Sequence, residues 1–165
     1  TLSSSSAASD VYKRQERLTV VRTLSKAWGL AGLRAGYLVG APGLVGLLDV
    51  VGLPYRLTRP TLDLGTRAVA AAGLMRERCA AIRAERERVA EALHALGLRV
   101  LPSEANFLLF FVSDASTVQT RLADEHGIVI RRRDGPAGLD GALRVTIGTP
   151  DENHRFIAAL EATLG

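Results

Sequence analysis

The chain has 165 residues, 47% hydrophobic and 23% charged, a globular balance that excludes a disordered chain and leaves room for a sizeable core. A lone cysteine, Cys79, excludes an internal disulfide, and three separated histidines form no metal cluster. The formal charge is +4, yet the arginines are dispersed and often adjoin Glu or Asp, as over 75–91, which describes a solvated helix face rather than a nucleic-acid surface.

Residues 1–15, TLSSSSAASDVYKRQ, are serine-rich without apolar periodicity and read as a leader, disordered or foreign to the rest of the chain. A β-branched run then predicts a strand over 18–21. A Gly/Ala-rich loop comes next, and a second strand is expected over 35–39. Pro42 suits the first turn of a helix reaching about residue 51, which Gly52 and Pro54 stop. From 61 the pattern is helical again. Met75, Cys79, Ile82, Val89, Leu93 and Leu96 share one stripe, and one long helix capped by Gly97 is expected, long enough at ~1.5 Å per residue to join two lobes. Strands over 98–101, 106–111, 128–131 and 143–147 then interleave with helices over 116–126 and 150–164, a small α/β or α+β sandwich. Thr149 or Asp151 beside Pro150 supplies the start of the last helix. No apolar run reaches the roughly 20 residues of a membrane span, and no secretory signal is evident, so a cytoplasmic, reducing setting is expected.

Of the 21 basic residues only Lys13 and Lys26 are lysines. An amine desolvated or set near another cation loses its proton and attacks an aldehyde; a guanidinium stays protonated. By position alone a surface residue is the better reading of Lys26. Its neighbours shift the balance: Thr23 and Ser25 place two hydroxyls before it, Arg34 supplies a permanently charged fork after it, and Gly29, Gly32 and Gly36 permit close backbone approach. Together these suit a phosphate monoester, although Ser/Gly/Arg loops are also common in turns.

The order and spacing are more specific. TLSKAWGLAG, residues 23–32, resembles the lysine signature of class II pyridoxal-phosphate (PLP) aminotransferases, and its extension LRAGYLVG resembles histidinol-phosphate aminotransferases in particular. Pro54-Tyr55 with the LTRP after it is similar to that family's interdomain connector, MRERCAAIRAERERVAEAL to its long helix, and SEANFLLF to its first small-domain strand. The resemblance runs from about residue 18 to the end. It implies an α/β fold, the C-terminal part of the PLP-dependent transferase (aspartate aminotransferase-like) architecture. Residues 16–60 would be a remnant of the large PLP-binding domain, 61–97 interdomain helices, and 98–165 the small C-terminal domain. Carried over residue by residue, Lys26 matches the Schiff-base lysine, and Thr23, Ser25 and Arg34 match contacts to the cofactor phosphate. Arg144, in ALRVTIGT, matches the arginine that binds the substrate carboxylate, and its planar fork suits that task. Arg131 falls where the family places an arginine that meets the phosphate of histidinol phosphate, although Arg131-Arg132-Arg133 also reads as a solvated turn. Asn106 and Tyr55 match positions near the cleft, but a strand-end Asn and a Tyr packed beside Pro54 explain them as well.

The resemblance further implies a transaminase of histidine biosynthesis with PLP as cofactor, exchanging amino groups between glutamate and imidazole-acetol phosphate, and homodimeric at full length. The family's N-terminal part supplies an acidic partner for the pyridine nitrogen, an aromatic stacked on the ring, and a phosphate contact from the partner subunit. None has a matching segment here, so the fragment alone is expected to be inactive. Other readings stay open: threonine-phosphate decarboxylase or an aromatic aminotransferase, and a non-catalytic α/β module that uses its arginines for anions.

Overall fold

The computed structural model describes residues 18–133, 135 and 138–165, so the expected leader over 1–15 lies outside the described residues. The chain divides into two compact units, Thr1–Arg76 and Glu77–Gly165.

In the first unit, β1 (Thr19–Thr23) pairs antiparallel with β2 (Gly36–Gly40), in register from Thr19↔Gly40 to Thr23↔Gly36. The first strand thus begins and ends later than the β-branched run suggested, because Arg22 and Thr23 find partners in Tyr37 and Gly36. A Cβ on Gly36 would lie 2.5 Å from the Arg22 carbonyl oxygen, so a close approach of backbone, not a turn, demands glycine there. Helix α1 (Pro42–Val51) comes next, with proline in its first turn, and Arg56 donates to the Asp49 carboxylate at 2.7 Å beyond its end. Helix α2 (Arg59–Ala70) starts at Thr58, whose hydroxyl accepts from the Thr61 N–H at 3.3 Å.

The long helix expected to close on Gly97 is α3, which spans Ala72–Ala95, and α2 precedes it, ending at Ala70 with Ala71 as its cap. The Ala71 N–H is shared between the Arg67 and Ala68 carbonyls at 3.2 and 2.9 Å. The run 70–72 is all alanine and Gly73 is next, so little side chain is available to hold the two segments in line, and glycine costs a helix ~1 kcal/mol. At its far end α3 closes as expected on Gly97 (φ +75°), with the Leu98 N–H reaching back to the Leu93 carbonyl at 3.1 Å.

The second unit carries a four-stranded antiparallel sheet in the order β3-β4-β6-β5: β3 is Arg99–Val100, β4 Phe107–Phe111, β5 Arg131–Arg132 and β6 Ala142–Thr146. Helix α4 (Ala115–His126) is capped by Asp114, and α5 (Pro150–Leu164) by a Thr149–Glu152 capping box. The core joins Val89 and Leu93 of α3 with Leu108, Phe110, Leu143 and Val145 of the sheet and with Leu122, Phe156 and Leu160 of the two later helices. Strand β5 is shorter than the expected 128–131 because the preceding backbone bonds to α4 instead of to β6. The Ile128 N–H donates to the Leu122 carbonyl at 2.8 Å, and Gln119 Nε2 donates to the Ile130 carbonyl at 2.8 Å. The expected strand over 98–101 likewise contracts to Arg99–Val100. Among the described residues no helix is long and apolar enough to cross a membrane.

Candidate functional site

Lys26 stands on the loop between β1 and β2, exposed, on backbone that is fixed on both sides. The Gly29 N–H donates to the Lys26 carbonyl at 2.8 Å, and the Leu30 N–H donates to the Leu24 carbonyl at 3.0 Å. Leu24, 7% exposed, anchors the loop within unit 1, with Gly65 of α2 beneath it. The Leu24 N–H reaches the Ala35 carbonyl at 3.0 Å, which carries the β1–β2 pairing one step past the strand ends, with Ser25 and Arg34 as the next residues on either side. The Thr23 hydroxyl donates to the Ser25 hydroxyl at 2.9 Å, so the two oxygens already stand together. Arg34 is the one described non-glycine residue with positive φ (50°, ψ 36°), a sparsely populated conformation for a long side chain and of the kind that clusters at ligand sites. Its Nη1 donates to the Ala31 carbonyl at 3.2 Å. Among the expected glycines, Gly36 makes the close approach and Gly29 takes positive φ (67°), while Gly32 faces open space. Two clustered hydroxyls, an arginine on the same loop and an exposed amine are the groups that a phosphate-bearing aldehyde would require. Tyr55, in the same unit, is 94% exposed.

In the second unit Arg131 and Arg144 are brought together, directly opposite each other across the β5–β6 pair. Both line a cavity of about 680 Å³ with Gln119, Thr146, Asn153 and Arg155. The Arg144 guanidinium carbon lies 4.9 Å from the centre of the Phe107 ring, a contact that orients the cation. Its Nε is buried without a hydrogen-bond partner, the single such side-chain atom among the described residues. Buried donors are almost always paired, and like charges directly opposite on a sheet repel, so this stretch of the β5–β6 pair favours a negative charge beside it. Asn106 is exposed just before β4, where its carbonyl accepts from the Ile147 N–H at 2.9 Å.

Other residues of this unit escaped the sequence reading. The gap of seven in the α3 stripe, from Ile82 to Val89, is filled by Arg86, which is 8% exposed and donates to the Ala105 carbonyl at 3.0 Å. Glu85 accepts from Arg88 at 2.7 Å and from the Asn153 side chain at 2.8 Å, and these two bonds, the arginine's first, hold its carboxyl at about 2. A charged residue inside an apolar stripe and an asparagine inside a helix were the available signals.

Residues 2–160 match the family model for aminotransferase class I and II. The chain is 43% identical over 152 residues to histidinol-phosphate aminotransferase of Frankia casuarinae, covering 92% of this chain and 37% of that protein. A crystal structure of histidinol-phosphate aminotransferase from Sinorhizobium meliloti in complex with pyridoxal-5′-phosphate superposes with a TM-score of 0.82 at 29% identity, over 92% of this chain and 42% of that one. The histidinol-phosphate aminotransferase of Clostridium acetobutylicum superposes with a TM-score of 0.85 at 25% identity, over 96% and 49%. The chain therefore spans between about two fifths and half of the length of these relatives.

Proposed function

We propose that this chain, which belongs to the family of class I and II aminotransferases, is the C-terminal portion of an enzyme that moves an amino group between L-histidinol phosphate and 2-oxoglutarate, with Lys26 as the residue that carries pyridoxal 5′-phosphate. When bound, PLP supplies an electron-withdrawing ring that stabilises negative charge at the substrate α-carbon. The protein's part is to hold, orient and move protons. The Thr23 and Ser25 hydroxyls, 2.9 Å apart, and the Arg34 guanidinium take the cofactor phosphate. The Lys26 amine would hold the cofactor through its aldehyde carbon and, once freed by the incoming substrate amine, would carry the proton from the substrate α-carbon to that cofactor carbon, in accord with its exposure on a fixed loop.

Arg144 and Arg131 take the substrate's anion. The two amino donors differ in charge: histidinol phosphate has a phosphate and no carboxylate, whereas glutamate has two carboxylates, so the site must accept either anion. Two opposed guanidiniums, one with a buried unpaired Nε, support that reading most strongly. Tyr55 and Asn106 are proposed as further cleft residues on the family match alone. The same proposal includes a large-domain remnant over 16–60, interdomain helices over 61–97, a small domain over 98–165, a homodimer at full length, a cytoplasmic setting and a place in histidine biosynthesis.

Amino exchange assayed with the complete enzyme tests the reading. L-Histidinol phosphate and 2-oxoglutarate should yield glutamate, and Lys26→Ala should slow the exchange by about 10³-fold or more. Release of carbon dioxide from a phosphorylated amino acid, without amino exchange, would make the enzyme a decarboxylase instead.

A further inference from the structure

We infer that Asn153, anchored on Glu85, is a positioning residue that fixes the wall of the anion cavity where β6 turns into α5. The inference deepens the substrate reading given for Arg144 and Arg131 and rests on it. Asn153 is the fourth residue of α5 and is only 3% exposed, an unfavourable place for a polar amide unless each of its groups is used. Its Oδ1 accepts from the Gly148 N–H at 2.9 Å, and its Nδ2 donates to the Gly148 carbonyl at 3.1 Å and to Glu85 Oε2 at 2.8 Å. One side chain therefore grips both backbone groups of a residue four positions after Arg144, and spends its remaining donor on α3. Glu85 is held in turn by Arg88 through two bonds of 3.1 and 2.7 Å.

The start of α5 does not need this clamp. The capping box already satisfies it, with the Thr149 N–H donating to Glu152 at 2.7 Å and the Glu152 N–H to the Thr149 hydroxyl at 3.3 Å. The buried amide and its carboxylate serve a second purpose, and its place is clear: Gly148, Glu152 and Asn153 line the same cavity as Arg131 and Arg144. The β4–β6 pairing fixes the backbone of Arg144, and the clamp fixes the turn beyond it. A side chain at Gly148 would press on Glu152 of the capping box. A Cβ there would come within 2.6 Å of a Glu152 carboxylate oxygen and 3.0 Å of its Cβ.

Three variants of the complete enzyme test this with L-histidinol phosphate as the probe. Asn153→Asp keeps the acceptor but loses both donors and sets two carboxylates against each other. The KM for L-histidinol phosphate should rise roughly tenfold, with kcat and the cofactor's absorbance unchanged, and should recover as the pH falls below about 6 and one carboxyl regains a proton. Glu85→Gln alone keeps an acceptor and should change KM less. The swap N153D/E85Q rebuilds the bond with donor and acceptor exchanged, and should restore most of the lost affinity. An unchanged KM in N153D overturns the inference. So does a parallel loss of KM, kcat and thermal stability that the swap fails to rescue, because the clamp would then serve only the fold. Arg144→Ala separates the two claims: if it leaves KM unchanged, the anion reading itself fails and the positioning role falls with it.

Discussion

The two units spend similar side chains very differently. In the second, Phe110, Leu143 and Leu160 are wholly buried, and Phe110 meets Phe156 edge to face at 6.0 Å. In the first, α1 buries no residue at all, leaving Val50 83% and Val51 80% exposed, with Leu53 76% exposed just beyond it. Apolar content is no guide to the difference. The apolar residues of α1 stay out of the core, whereas α5 sets its buried residues on one face of a two-layer sandwich. The second unit is written to fold on itself. The first leaves the apolar side chains of α1 exposed, in a chain that spans about two fifths of the length of these relatives.

The contrast is easiest to break in the core. Phe110→Ala should cost ~3–5 kcal/mol in urea unfolding followed by far-UV circular dichroism, while Val50→Ala should stay within about 0.5 kcal/mol. Equal losses would erase the distinction. Trp28, the chain's single tryptophan, lies in the Lys26 loop, so its fluorescence should change at lower urea than the helical signal does. At the anion cavity, Arg144→Ala in the complete enzyme should raise the KM for L-histidinol phosphate about 10- to 100-fold, the cost of losing hydrogen bonds to a charged group. Thr149→Ala should remove ~1 kcal/mol from the second unit, read as a lower midpoint in the same urea titration. The smallest effect is on acid stability. The Glu85 carboxyl is held at about 2, below its ordinary 4.5, so its contribution is complete above 4.5 and fades as the pH falls toward 2. Thermal unfolding across that window should show a decline that Glu85→Gln lacks.

Much of this was legible in the sequence where local rules decide. Pro42, Gly97 and Thr149 mark helix ends that the structure keeps, and the strand expected over 106–111 becomes β4. The Lys26 motif was legible for another reason: it is contiguous, so the hydroxyls of Thr23 and Ser25 meet without help from distant chain. What was hidden is non-local. The bond from Asn153 to Glu85 spans 68 residues, and no periodicity announces it. Arg86 was passed over because a charge inside an apolar stripe looks like an interruption, yet it is buried against the Ala105 carbonyl.

The central claim is that Lys26 carries the cofactor, and reductive trapping tests it most directly. Borohydride treatment of the complete enzyme loaded with PLP, then mass spectrometry of its peptides, should place a phosphopyridoxyl group on Lys26 and abolish activity. A label on another lysine, or no label on enzyme that still exchanges amino groups, would contradict the account.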